Sequence, residues 1–157
     1  MKKGRTLFYL ILFSLCFFFL GYFRNFIFLN INERASLLYY KSAYPPLPGF
    51  MNMFESYNYN QLVTAKWILT LSFTLIYALV SATSLYLVFN ARQVAFIALG
   101  LYGLLFTISL VFIILGRVFL QFYIHGFSIS RNITHFQQSP VITIVLLLGV
   151  YYYKNNK

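Results

Sequence analysis

From Ala65 to Phe89 the chain runs for 25 residues with a single charge, Lys66, near its start. A helix of that length reaches about 37 Å at 1.5 Å per residue, enough to cross a hydrocarbon layer about 30 Å thick. A helix on the surface of a soluble domain would show a polar face, and this stretch has none. The pattern recurs from Val94 to about Leu120 and from Leu7 to Phe28, where Arg24 is the only charge, and each run predicts a further spanning helix. Composition points the same way. Of 157 residues, 61% are hydrophobic and 9% charged, whereas soluble domains carry about 25% charged residues. So little polar material cannot coat a core of this size in water.

The polar stretches set the organisation. Lys2, Lys3 and Arg5 before an apolar run resemble a signal peptide, but no small-residue cleavage site follows, so an uncleaved first helix is expected. Residues 30–61 hold Glu33, Glu55 and three of the four prolines, and form a proline-containing extramembrane connector after helix one. Within it Ile31, Ala35, Leu38 and Tyr39 recur at helical spacing opposite Glu33, Arg34 and Lys41, predicting a short surface helix. Tyr44-Pro45-Pro46-Leu47-Pro48-Gly49 then excludes helix, because proline lacks a backbone donor and restricts the residue before it. Phe50, Met53, Phe54 and Tyr57 predict a second surface helix. Asn90 to Gln93 is a turn that permits only an antiparallel return.

Gln121 to Ser139 reads as a second polar connection, carrying His125, Arg131 and His135, before Pro140 and an apolar run from Val141 to Tyr153. That run is too short to span alone, so the fourth helix is expected to begin near Ser130 and kink at Pro140. The fold class is therefore all-α: one polytopic membrane domain over residues 1–157, with helices at about 7–28, 65–89, 94–120 and 130–153.

The net charge is +10, but beyond Lys2, Lys3 and Arg5 the basic residues stand singly beside apolar runs, where they snorkel to lipid headgroups. Membrane lipid is the expected partner and nucleic acid is not. Four spans divide the basic residues six against six. The three positives before helix one favour a cytoplasmic N-terminus.

Covalent chemistry lacks its parts. There is no aspartate, and both glutamates lie in one connector, so paired intramembrane carboxylates are excluded. His125 and His135 are ten residues apart and Cys16 sits in a distant helix, a poor metal set. Cys16 is expected to be buried and structural, because Phe13, Leu15 and Phe17 to Phe19 offer no cation to activate its thiol. Gly126-Phe127-Ser128-Ile129-Ser130 lacks the second glycine of a nucleophile elbow and reads as a loop. Asn132-Ile133-Thr134 matches a glycosylation tripeptide, which is common by chance. No enzyme, cofactor or metal is expected.

Binding is better represented. Thr70, Thr74, Ala78 and Ala82 recur every four positions, a stripe on which another membrane helix can approach closely, with Ser81 and Ser84 beside it. Gly100, Gly103 and Thr107 form a second small-residue patch. Arg131 leads through Thr134 to Ser139 directly into an apolar helix. One reading is interfacial anchoring. The other is that Arg131, with Arg117 or His135, presents a cationic surface to a partner's carboxylate or backbone.

A basic start, one helix, a connector with Leu47-Pro48, the helix start Lys66-Trp67 with Leu71-Ser72-Phe73, and the ending Arg131, Gln138-Ser139-Pro140 and Tyr151-Tyr152-Tyr153-Lys154 together resemble small bacterial exosortase-system-associated membrane proteins of the exosortase F-associated type. The likeness spans most of the chain, with Lys66-Trp67 where Arg-Tyr is expected. It implies a non-catalytic accessory protein of the bacterial inner membrane, acting beside an exosortase-like transpeptidase in protein sorting or envelope biogenesis. A small transporter or channel subunit is the alternative, for which intramembrane charges or paired broken helices are expected.

Overall fold

The computed structural model describes residues 3–41, 46–119 and 122–155, with the backbone alone at Lys3, Lys154 and Asn155. Among the described residues five α-helices follow one another: α1 (Lys3–Tyr39), α2 (Tyr59–Phe89), α3 (Arg92–Val118), α4 (Tyr123–Gln137) and α5 (Val141–Asn155), with a 3₁₀ helix at Gly49–Phe54 between α1 and α2. No strand occurs among the described residues. Three helices, α1 to α3, are long and apolar enough to cross a membrane, and α4 with α5 makes a fourth candidate span, bent by 57° at its break. The protein is an all-α, multi-pass membrane protein. Tyr44, Pro45, Leu120, Gln121 and the basic residues Lys2 and Lys157 lie outside the described residues, so the proline elbow is described only from Pro46 onward.

The chain divides into two compact units: residues Phe18–Phe73, and Met1–Phe17 with Thr74–Lys157. In the first, Ile27, Ile31, Leu47, Met51, Leu62 and Phe73 are buried. Phe50 stacks on Phe23 with ring centroids 5.7 Å apart, and Phe73 approaches Phe28 at 6.0 Å. The separate surface helix expected after residue 28 does not form, because α1 continues without interruption to Tyr39. Arg34, expected on a solvent-facing side, is buried instead: its Nη2 donates to the Glu55 carbonyl at 2.8 Å, while the Glu55 carboxylate accepts the Leu47 N–H at 2.9 Å. A buried guanidinium is tolerable only with such partners. The second surface helix is a single 3₁₀ stretch with Met51 buried and Phe50 and Met53 exposed. Met51 N–H bonds to the Pro48 carbonyl at 3.0 Å, so the turn starts where the prolines release the backbone.

α2 begins at Tyr59 rather than Ala65. Asn58 Oδ1 accepts the Gln61 N–H and Gln61 Oε1 accepts the Asn58 N–H, both at 2.9 Å. This reciprocal cap satisfies two backbone donors that a helix start otherwise leaves open. The helix ends at Asn90, whose φ of 51° is the left-handed conformation asparagine tolerates, with its N–H on the Tyr86 carbonyl at 2.7 Å.

In the second unit Phe17 stacks on Tyr77 at 5.9 Å. Cys16 is half-buried, less enclosed than its aromatic neighbours suggested. Leu85, Val94 and Ala98 form a core cluster against which Phe89, Ala91, Leu146, Leu147 and Val150 pack, fastening α5 to the α2–α3 turn. The helix expected from near Ser130 with a kink at Pro140 is present, divided there into α4 and α5, and the departure lies in its earlier start. α4 begins at Tyr123, and the Gly126–Ser130 loop does not exist.

Candidate functional site

α4 earns its place against α3 through small and hydroxylated side chains. A Cβ on Gly126 would stand 2.6 Å from the Phe112 carbonyl oxygen and 3.2 Å from the Gly116 Cα, so only glycine admits this approach of the two backbones. Further along, Ser109 Oγ lies 2.7 Å from Ser130 Oγ and 3.4 Å from Thr134 Oγ1. Then Gln137 Nε2 donates to the Tyr102 carbonyl at 2.9 Å. As α4 ascends through 126, 130 and 137, α3 descends through 116, 109 and 102, so the two helices are antiparallel. Their seam follows about 21 Å of α3, counted at 1.5 Å per residue.

The helix breaks where the seam ends. Pro140 has no N–H to give the Phe136 carbonyl, and Ser139 Oγ takes that bond at 2.7 Å, which closes α4 and lets the chain turn. α5 opens with the Ile144 N–H on the Pro140 carbonyl at 3.0 Å. Around the break the polar groups satisfy one another. Gln138 Nε2 donates to Thr74 Oγ1 at 2.9 Å, and Ser81 Oγ lies 2.6 Å from Thr143 Oγ1 and 3.0 Å from the Tyr102 hydroxyl. Ser81 is wholly buried and Gln137 is 1% exposed. One acceptor, Gln137 Oε1, is buried without a hydrogen bond. Apart from that oxygen, the buried polar groups here meet their bonds internally, as an apolar interior requires, and the network ties α2 and α3 to α4 and α5.

The register also fixes depth. Arg92 and Arg117 bound α3 about 37 Å apart along the helix, a separation that lets both charges reach the faces of a membrane crossed by α3. The midpoint falls near Leu104. With Ser130 beside Ser109, Arg131 lies level with Ile108, about 5 Å from that midpoint, and His135 lies level with Leu104 itself. Both are exposed, as are Asn132 and Arg117, while Ser128 is half-buried. Ser128, Arg131, Asn132 and His135 follow i, i+3, i+4, i+7 spacing and line the face of α4 turned away from α3. Arg131 makes no hydrogen bond or ion pair among the described residues, so its charge is not neutralised within them.

The other expected partner-binding residues fall elsewhere. Thr74, Ala78 and Ala82 are buried within the chain and Thr74 holds Gln138, so that stripe serves internal packing and is not open to another protein. Thr70 is half-buried and returns its hydroxyl to the Lys66 carbonyl at 2.8 Å. Arg117 is exposed at the end of α3, beside the buried Gly116. Tyr102, Ser109, Gly116, Ser130, Gln137 and Gln138 were not singled out as a site from sequence. Their signal was present: Tyr102, Ser109 and Gly116 recur every seven residues, and Gly126, Ser130 and Gln137 recur at steps of four and seven, as two helices in contact require. No group of three histidine, cysteine or acidic side chains converges among the described residues. Set against known protein families, characterised proteins and solved structures, the chain matches none.

Proposed function

We propose that this chain is a non-catalytic accessory subunit of the bacterial inner membrane that binds another membrane protein through the outward face of α4. The observation that carries the reading is the exposure of Arg131, Asn132 and His135 at a depth where lipid tails would otherwise surround them. An arginine facing hydrocarbon near a helix centre costs about 2.5–3.5 kcal/mol on insertion scales. The side chain leans toward the start of α4 and so toward the Arg117 end. From about 5 Å off the midplane, a side chain of roughly 7 Å stops short of a headgroup layer about 15 Å away. Interfacial anchoring therefore does not account for Arg131, and a polar partner does. The sequence likeness supplies the partner class, an exosortase-type transpeptidase in protein sorting, with the N-terminus on the cytoplasmic side.

The test is purification in mild detergent from the native host. A multi-spanning transpeptidase is expected to accompany the unaltered chain and to be lost with Arg131→Leu, while the variant still inserts. Equal recovery with both would end the proposal. The transporter reading draws on the broken span with buried amides near mid-depth and on Arg131 as an intramembrane charge. It predicts solute or ion flux from the purified chain alone in liposomes.

A further inference from the structure

We infer that the occupant of the outward α4 face is a transmembrane helix of a different protein carrying a carboxylate at the depth of Arg131. The inference rests on the accessory reading above and adds the chemistry of the partner. An arginine held about 5 Å from the bilayer midplane, at the level of Ile108, needs an anion that reaches it there. Lipid phosphate does not reach that depth without deforming the bilayer, since the headgroups begin about 15 Å from the midplane. A second copy of this chain does not supply the anion either. The sequence contains no aspartate; Glu33 lies in the last two turns of α1, near the end of a helix longer than a bilayer core requires, and Glu55 caps the 3₁₀ helix with its carboxylate on the Leu47 N–H. Two copies meeting through α4 would set Arg131 against Arg131, and like charges in a low dielectric repel.

The rest of the face fits a helix carrying one acidic group. Asn132 is exposed one position on, offering both a donor and an acceptor, and His135 is exposed one turn deeper. Arginine presents its donors as a planar fork that matches a carboxylate in two parallel hydrogen bonds. On the opposite side α4 is fixed by the Gly126–Gly116 approach and the Ser109–Ser130 bond, so the fork is carried on a positioned helix.

The experiment uses the full chain, donor-labelled and reconstituted in phosphatidylcholine bilayers. It is titrated with acceptor-labelled synthetic Leu/Ala transmembrane peptides that carry Glu, Gln, Leu or Lys at the position matching Arg131. The Glu peptide is expected to associate about tenfold more tightly than the Leu or Lys peptide. Arg131→Lys should retain part of that preference, and Arg131→Glu should transfer it to the Lys peptide. Equal binding of Glu and Leu peptides by the unaltered chain overturns the inference. So does loss of the Glu preference when anionic phosphatidylglycerol is added to the bilayer, which would make lipid phosphate the occupant. A photocrosslinker placed at Asn132 in cells separates the two levels of the argument. Capture of a transpeptidase together with equal peptide binding would leave the accessory reading standing and remove the carboxylate.

Discussion

α4 and α5 are both 15 residues long and lie end to end across a single break, yet they are built from opposite materials. From Val141 to Val150, α5 has no charge, and it packs Leu146, Leu147 and Val150 against the core cluster of Leu85, Val94 and Ala98. α4 carries Arg131, both histidines of the chain, an asparagine and three serine or threonine hydroxyls, with one terminal glutamine. α5 enters a membrane on its own hydrophobicity. α4 does so only because Gly126, Ser130, Thr134 and Gln137 find partners on α3, and its other face is left polar. On the function proposed above, a helix that lipid alone would reject and a packed seam holds in place would keep polar groups where another protein could meet them.

Four measurements test the difference between α4 and α5. Residues 123–153 placed between reporter domains should insert more favourably by about 2.5–3.5 kcal/mol on Arg131→Leu. No change would place Arg131 at an interface and make the two helices alike. Next, Gly126→Ala should destabilise the chain in detergent by about 1–3 kcal/mol, because its new Cβ meets the Phe112 carbonyl oxygen. A smaller coupling, about 0.6 kcal/mol, is expected from a double-mutant cycle of Ser109→Ala and Ser130→Ala. Smallest is Gly149→Ala on α5, where no atom lies within 4 Å of the added carbon. Thermal unfolding there should shift by less than about 0.5 kcal/mol, and a loss as large as at Gly126 would mean that α5 is also held by close backbone packing.

The sequence made the long spans legible because lipid imposes a length rule on uncharged runs, and α2 and α3 obey it over 31 and 27 residues. The start of α2 escaped that rule: hydrophobicity begins near Ala65, but the Asn58-x-x-Gln61 cap launches the helix from Tyr59. Continuity of α1 through Asn30 and Glu33 was hidden for a related reason. Buried Ile27 and Ile31 and the Arg34–Glu55 bond hold as helix a stretch whose composition reads as connector. At the candidate site, polarity placed the helix start near Ser130, whereas the pairing of α3 with α4 gives most of the inward polar groups partners and lets the helix begin at Tyr123. A stripe of small residues at Thr74, Ala78 and Ala82 signals close packing without saying whose helix fills it, and here the chain's own structure covers it. Arg131 and His135 were visible as unusual, but their depth emerged only from the Ser109–Ser130 register.

The contrast between the two helices depends on α4 lying beside the middle of α3 within the membrane. A nitroxide at Asn132→Cys in a Cys16→Ser background, reconstituted without a partner, tests it directly when compared with a second label at Ile108→Cys. Comparable depths for the two, well below the phosphates by relative accessibility to oxygen and a water-soluble nickel chelate, are the predicted result. A label at residue 132 that sits at headgroup level while residue 108 stays buried would contradict the account.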